Sequence, residues 1–232
     1  MASSRRCVVL VPYLTHVEPA CDDGLRELER RGITVRRHPS TAAVDRMRCE
    51  LATTALADGF DELMWIDSDI GFNPDDVDRL RSHQLPLVSG IYPKKGVRAL
   101  ASHLLPETES VQFGADGGLL EIKYAATGFL LTQRRVYTAV REQAELPLCN
   151  ERFGRPLVPY FLPMLVPDGS GHWYLGEDFA FSERARRAGF VVMADTRIRL
   201  NHIGKCGYSW EDAGSERPRY GNYKFNVNRG DG

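Results

Sequence analysis

The order of apolar and polar positions in the first half of the chain predicts short buried strands that alternate with amphipathic helices. The run at 7–11 is apolar, rich in β-branched residues and ends at Pro12, which is typical of a parallel strand covered on both faces. Charged segments at about 18–31 and 42–58 carry apolar residues along one side and end at Gly32 and Gly59, as helices do. Further strands are predicted at 33–35, 64–66 and 85–90, with a helix beginning near Asn73 between the last two. This alternation predicts an α/β fold built from parallel crossover units.

The second half of the chain has a less regular pattern. Residues 97–123 contain glycines among short apolar runs, which predicts hairpin-like structure. A strand at 126–131 and helices at 133–142 and 177–188 are predicted, and 190–194 is the last clear strand. Five prolines between 147 and 167 predict a functional loop region over 145–172 without long regular elements. We expect one domain over 1–232, divided into halves at about 1–95 and 96–210 and a tail at 211–232.

Composition and charge narrow the function classes. The chain has 232 residues, 43% of them hydrophobic, and a formal charge of -1, so its net charge provides no attraction to nucleic acid or anionic membranes. The five cysteines are odd in number and form no CxxC pair, which favours a reducing, cytoplasmic location. The first apolar run is too short for a signal peptide or a membrane span.

Two carboxylates follow the third predicted strand. Asp67 and Asp69 are two apart, so on an extended chain they point to the same side and can share one cation. Ligands usually bind at the carboxyl ends of strands in open α/β sheets. The alternative is a loop with two solvated acids, because Asp-x-Asp is a short and common pattern.

Three separated segments carry a family resemblance: WIDSD at 65–69, GEDF at 176–179 and NHIG at 201–204. Together they resemble the nucleotide-sugar-dependent glycosyltransferases of the GT-A fold, over roughly residues 7–210. The resemblance implies a Rossmann-like, mostly parallel central sheet flanked by helices. It also implies a nucleotide-binding first half and a smaller, irregular acceptor half.

The resemblance implies a metal site. Asp69 would be the direct ligand, while Asp67 would hold the ribose or a metal-bound water, and His202 would be the late metal-binding histidine. A carboxylate set with an imidazole favours Mn²⁺ over Mg²⁺. The alternative for His202 is a surface-loop histidine.

Catalysis is expected at the second motif. By resemblance, Asp178 is the base that takes a proton from the acceptor hydroxyl, and Glu177 orients the loop. A carboxylate at a helix start faces the positive end of the dipole. Alternatively, Asp178 is a plain helix-capping acid, or it binds the acceptor in an enzyme that retains anomeric configuration.

Donor contacts are expected from several further positions. By resemblance, Pro12 and Tyr13 hold the base at the end of strand one, and Asp45 and Arg48, one helical turn apart, approach the nucleotide. Their alternative is a solvated helix face. The candidate phosphate neighbours are Lys94, with Lys95 beside it, and Lys205. Trp173 and Tyr174 are positioned to stack on a sugar ring, or to be buried in a hinge. Residues 204–210 are expected to form a lid over bound diphosphate, and the alternative is a permanently docked tail that supports the fold.

The predicted function is therefore a metal-dependent glycosyltransferase that moves a sugar from a nucleotide-diphosphate donor, with a UDP-sugar favoured, to an acceptor hydroxyl. Inversion with Asp178 as base is expected. The alternatives are a retaining enzyme, an inactive sugar-nucleotide-binding module, or a nucleotidyltransferase, which usually has a glycine-rich basic loop where this chain reads PYLTH at 12–16. The acceptor stays open among protein, glycan, small molecule and modified base, and stable membrane insertion is not expected.

Overall fold

The computed structural model describes residues 5–40, 43–204, 206–214 and 221–226. Its α-helices are α1 (Pro19–Arg30), α2 (Val44–Ala57), α3 (Asp75–Ser82), α4 (Arg134–Gln143) and α5 (Glu177–Arg187), with short 3₁₀ turns at Glu151–Phe153 and Trp210–Ala213. Its strands are β1 (Cys7–Tyr13), β2 (Thr34–Pro39), β3 (Glu62–Ile66), β4 (Ile70–Gly71), β5 (Leu87–Ser89), β6 (His103–Leu104), β7 (Ser110–Gly114), β8 (Leu119–Tyr124), β9 (Phe129–Gln133), β10 (Met164–Asp168), β11 (Gly171–Leu175), β12 (Val192–Asp195), β13 (Asn201–Ile203), β14 (Gly207–Tyr208) and β15 (Asn222–Asn226).

A large central sheet organises the described part of the chain. Its strand order is β2-β1-β3-β9-β5-β12-β8-β6. The pairs β2/β1, β1/β3 and β5/β12 are parallel, whereas β9 and β8 run against their neighbours. All strands of this sheet except β8 and β9 therefore share one direction, and their carboxyl ends form one edge.

Both faces of the sheet are covered, because alternate side chains of a strand point to opposite faces. On β1, Val8 and Leu10 belong to one buried cluster, while Cys7, Val9 and Val11 belong to the other. Helices α2, α4 and α5 supply buried side chains to the first cluster, and α1 and α3 supply them to the second. The result is a three-layer α/β arrangement, and the predicted fold class is confirmed.

One strand departs from the predicted order. The alternating pattern suggested parallel crossover units up to residue 90, but the antiparallel β9 lies between β3 and β5. Its continuous apolar sequence fits burial on both faces, and that pattern does not encode strand direction. The reversal places the start of β9 at the carboxyl edge of the sheet.

The prediction of a loop over 145–172 is wrong in part, because β10 and the start of β11 form an antiparallel hairpin there. Pro167 lies within β10, which is tolerated because each strand of a two-stranded sheet is an edge strand. Strands β13, β14 and β15 follow the last predicted strand. They are short or exposed, so apolar periodicity does not mark them.

The proposed division of the chain near residue 95 stays a prediction. Within the ranges that the structure describes, no helix combines the length and apolar character needed to cross a bilayer.

Candidate functional site

The predicted acidic pair lies at the carboxyl edge of the sheet. Asp67 directly follows β3, and its backbone N–H donates to the carbonyl of Gly128 (3.0 Å) at the start of the reversed strand β9. A Cβ on Gly128 would lie 2.3 Å from Tyr92 Oη and 2.9 Å from Asp67 Oδ2. Glycine is therefore required where this backbone approaches the carboxylate.

Arg48 on α2 connects two of the predicted acids from a buried position. Its side chain is 3% exposed, and Nη2 donates to Asp67 Oδ1 at 2.9 Å. Its Nε lies 3.7 Å from Asp178 Oδ1. Among the described residues, Nε and Nη1 have no hydrogen-bond partner. Two buried donors thus stay available beside the carboxylates, which is a costly arrangement unless an acceptor meets them.

The charges of this group are coupled. Burial raises the pKa of Asp67, and Asp178 adds to that rise while the Arg48 guanidinium opposes it. Burial alone would lower the pKa of Arg48, but the fields of Asp67, Asp178 and Glu177 outweigh burial and raise it. Arg48 is therefore a permanent cation within the carboxylate cluster.

Asp69 contacts two basic side chains. The Lys95 ammonium donates to Oδ2, and His202 Nε2 lies 3.7 Å from Oδ1. Burial acts to raise the pKa of Asp69, but His202 and Lys95 lower it below its ordinary value. Asp69 therefore carries its negative charge at neutral pH.

The orientation of His202 suits a ligand role. Its Nδ1 lies 2.9 Å from the Pro93 carbonyl, and a carbonyl only accepts, so Nδ1 carries a proton. The other ring nitrogen, Nε2, faces Asp69 and is the atom that a neutral imidazole presents to a metal. Pairing of β13 with β4 sets this position, since His202 is opposite Ile70 and Ile203 N–H donates to the Asp69 carbonyl at 2.7 Å.

Asp178 and Glu177 lie in the first turn of α5. Asp178 Oδ1 accepts a hydrogen bond from the hydroxyl of Thr127 at 2.5 Å, and Thr127 is buried just before β9. Burial, then the neighbouring Asp178 charge, raises the pKa of Glu177. The structure thus brings Asp178 and Asp67 close to one guanidinium.

A cleft of about 1490 Å³ opens beside these acids. Its lining includes Asp67, Glu177, Asp178 and His202, together with the predicted Lys94. Trp173 and Tyr174 also line it, as their position before the Glu-Asp pair suggested. The cleft has room for more than the 300–1,000 Å³ that small ligands usually need.

The other residues predicted to contact the donor lie around the same edge of the sheet, but they make fewer direct contacts with the acids. Pro12 is buried and Tyr13 half-buried at the end of β1, and Asp45 is half-buried in the first turn of α2. None of these three lines the cleft. Lys94 is exposed, and Lys95, rather than Lys94, contacts Asp69. Lys205 lies outside the described residues.

Three site residues escaped sequence reasoning: Thr127, Gly128 and Tyr92. Thr127 and Gly128 come from the reversed start of β9, and Tyr92 follows β5, with its hydroxyl accepting from the Gly128 N–H at 2.9 Å. The available signal was the glycine before an apolar strand, because a glycine at such a position often marks a place where another part of the chain comes close to the backbone. Nothing in the sequence gives the direction of β9.

The end of the predicted lid is part of the core. Trp210 is 1% exposed, stacks on Phe113 with centroids 5.3 Å apart and lies under the Arg199 guanidinium at 4.0 Å. The prediction that Trp210 belongs to a lid is therefore wrong. Ligand-dependent order of the preceding residues stays a prediction.

No protein-family model matches the chain, and no curated protein matches it. Among solved structures, the chain is similar to A197 from STIV, at 16% identity over 96% of this chain and 94% of that chain, with a TM-score of 0.57. At this identity the likeness shows the fold alone.

Two weaker likenesses are to enzymes. GalNAc-T7, solved with UDP, GalNAc and Mn²⁺, matches at 8% identity over 86% of this chain and 44% of that chain, with a TM-score of 0.46. A glycosyltransferase involved in glycosylation of the major capsid of PBCV-1 matches at 13% identity over 60% and 65%, with a TM-score of 0.34.

Proposed function

We propose that this protein is a metal-dependent glycosyltransferase that uses a nucleotide-diphosphate sugar, with a UDP-sugar favoured. The observation that carries the proposal is the convergence of the acids Asp67 and Asp69, the imidazole His202 and the acid Asp178 from three distant segments at one edge of the sheet. An α/β sheet binds ligands at this edge.

The residues fit a divalent cation in their chemistry. Among the described residues, no group of three or more His, Cys, Asp or Glu side chains forms a ready metal cluster. Asp69 Oδ1 and His202 Nε2 are 3.7 Å apart, and ligand bonds of about 2.1–2.2 Å allow two ligand atoms at this separation. Asp69 and His202 would hold Mn²⁺ or Mg²⁺, with Asp67 beside them, once Lys95 moves from Asp69. When bound, the ion would neutralise charge on the leaving diphosphate.

The acceptor side of the reaction is assigned to Asp178. Its carboxylate takes the proton from the acceptor hydroxyl as that oxygen bonds to the anomeric carbon and the nucleoside diphosphate leaves from the opposite face, which gives inversion. Thr127 fixes Oδ1 by its hydrogen bond, and the Arg48 charge lies 3.7 Å away. Glu177 shapes the start of α5. The contacts of Pro12, Tyr13, Asp45, Lys94 and Lys205 with the donor stay predictions.

A donor screen tests the proposal. Purified protein with Mn²⁺ is incubated with a panel of UDP-, GDP-, ADP- and CMP-sugars, and the released nucleotide is measured. Nucleoside diphosphate release is expected with one donor, and release is expected to stop when the divalent ion is chelated. Pyrophosphate formation from a nucleoside triphosphate and a sugar phosphate would instead establish a nucleotidyltransferase.

Variants then locate the site. Calorimetry of UDP with Mn²⁺ is expected to show at least tenfold weaker binding in Asp69→Ala and His202→Ala. Asp168→Ala and His172→Ala, on the exposed β10–β11 hairpin, are the matched controls and are expected to bind like the unmodified protein. Equal metal-dependent binding by Asp69→Ala would refute the metal site.

A further inference from the structure

We infer that the outer part of the cleft is an acceptor subsite for an acidic saccharide, a sugar that carries a carboxylate or a phosphate. By outer part we mean the region lined by His103, Trp173, Arg98 and Lys224. The inference rests on the proposed function, because it identifies the substrate that would present its hydroxyl to Asp178.

An aromatic wall begins next to the proposed base. Phe179, which follows Asp178, packs with Trp173 and His103 at centroid separations of 6.1 and 6.2 Å, and His103 and Trp173 meet edge to face at 4.9 Å. All three line the cleft. A hydroxyl must lie about 2.6–3.2 Å from its base, so the ring that bears it lies against this wall. The faces of sugar rings pack against flat apolar surfaces that have few polar groups.

Charge is distributed unevenly along the cleft. The lining carboxylates among the described residues are Asp67, Glu177 and Asp178, and they lie at the end where Arg48 neutralises them. The exposed cations Lys94, Arg98 and Lys224 line the cleft elsewhere. No described residue forms an ion pair or side-chain hydrogen bond with these three.

Many arginines of the first half of the chain are held by acids, as Arg37 is by Asp22 and Glu29, whereas Lys94, Arg98 and Lys224 have no acid partner among the described residues. A cluster of cations that lacks internal partners raises the local positive potential and attracts an anionic ligand. The aromatic wall and the cations together therefore fit a ring that also carries negative charge.

The electrostatic field at His103 supports this distribution. Burial lowers the pKa of His103, and the charges of Lys123 and Lys94 lower it further. Lys123 also lies over the Trp173 ring at 5.3 Å. Positive charge therefore converges on the aromatic wall and not only on its solvent-exposed rim.

Binding without donor or metal tests the subsite directly. The probes are a disaccharide of glucuronic acid and N-acetylglucosamine, a hexose 1-phosphate, and their neutral counterparts, a disaccharide of N-acetylglucosamine and the free hexose. Binding is followed by calorimetry and tryptophan fluorescence, to which Trp173 responds because Trp65 and Trp210 are buried. At least one acidic probe is expected to bind tenfold or more tightly than its neutral counterpart. Added salt is expected to reduce that preference.

Three variants and one control complete the test. Arg98→Gln is expected to reduce the preference for the acidic probe at least threefold, and Arg98→Gln with Lys224→Gln is expected to abolish it. Trp173→Leu is expected to weaken binding of acidic and neutral probes alike. Arg155→Gln, an exposed cation that does not line the cleft, is expected to change nothing.

Failure of the subsite and failure of the proposed function are separable. Equal binding of acidic and neutral probes, no binding of either, or a preference unchanged in the Arg98 and Lys224 variants would each overturn the subsite. These outcomes do not depend on transfer. Acidic saccharide binding without any donor turnover would support the subsite and count against the glycosyltransferase.

Discussion

Arg48 donates a hydrogen bond to Asp67 across the junction of α2 and the end of β3, with Nη2 and Oδ1 2.9 Å apart. The guanidinium is almost fully buried, and the carboxylate is 28% exposed. This contact neutralises the first acid of the pair without using its second oxygen. It also fixes the side of the guanidinium that faces Asp178.

Replacing Arg48 with Met is expected to destabilise the protein by about 1–3 kcal/mol at pH 7, because Asp67 loses its cation. Removing two unpartnered N–H groups offsets part of the loss. The pKa of Asp67, already raised by burial, rises further, so the variant's native state binds a proton more readily. The destabilisation is therefore expected to shrink between pH 7 and pH 5.

Urea unfolding at both pH values measures this effect. Arg46→Met, two positions earlier on α2, removes an exposed ion pair with Glu50 and is expected to change the free energy of unfolding by less than about 0.5 kcal/mol. A loss for Arg48→Met that grows as the pH falls would contradict the prediction.

A hydrogen-bond chain in the core provides a second test. Trp65 Nε1 donates to Tyr137 Oη at 2.8 Å, Tyr137 donates to Thr132 Oγ1 at 2.8 Å, and Thr132 donates to the Leu63 carbonyl at 3.1 Å. Tyr137→Phe removes the acceptor of a buried indole N–H and is expected to cost about 1–3 kcal/mol.

The matched control is Tyr160→Phe. The Tyr160 ring packs edge-on against Tyr137 at 5.0 Å, and its hydroxyl has no hydrogen-bond partner among the described residues. Denaturant unfolding is expected to show a change below about 0.5 kcal/mol for this variant. Equal losses for the two tyrosines would show that removal of a hydroxyl as such, and not the hydrogen-bond chain, determines the cost.

The parts of the fold that apolar periodicity encodes were predictable. The run at 7–11 is a strand buried on both faces, and Gly32 and Gly59 end their helices with φ of 81° and 84°. The direction of β9 was not predictable, because an apolar run reads the same in a parallel or antiparallel strand. The β10–β11 hairpin was missed because its prolines argue against a strand, although Val166 and Leu175 pack with Tyr124 in a small buried cluster.

The site was predictable only as separate motifs. The spacing of Asp67 and Asp69 and the position of Asp178 at a helix start suggested chemistry, but not their connection through Arg48. That connection depends on the packing of α2 against the sheet. Thr127 reaches Asp178 because β9 is reversed, a tertiary property that no local pattern of residues expresses.

The proposed base gives a kinetic prediction. Asp178→Asn keeps the shape of the side chain but cannot take a proton, so transfer is expected to fall by about 10²–10⁴-fold. UDP binding with Mn²⁺ is expected to stay within about threefold. Glu183→Gln, later on α5, where Glu183 contacts Tyr124 and Arg187, is the control and should leave transfer nearly unchanged. Transfer that survives in Asp178→Asn would exclude Asp178 as base and favour a retaining mechanism.

A pH dependence is expected at Asp76, remote from the cleft. Burial raises the pKa of Asp76 to about 6, and the charges of Asp195 and Asp75 add to the rise while Arg79 opposes it. In the unfolded chain an aspartate has a pKa of about 3.9. Between these two values the native state binds more protons than the unfolded state, so the contribution of Asp76 to stability is present below pH 4 and is lost as the pH rises through 6.

Asp76→Asn removes this loss. The difference between a pKa of about 6 and one of about 3.9 corresponds to about 3 kcal/mol, and partial solvation together with the position at the start of α3 reduces the effect to about 1–2 kcal/mol. The variant is therefore expected to be more stable than the unmodified protein by that amount at pH 7, and equally stable at pH 4. Asp75→Asn, whose side chain is 72% exposed, is expected to show no such pH-dependent difference. Since other carboxylates titrate in the same range, the relevant quantity is the difference between variant and unmodified protein in urea unfolding at each pH. A difference that stays constant from pH 4 to pH 7 would show that Asp76 titrates with an ordinary pKa and that its burial is relieved by solvent.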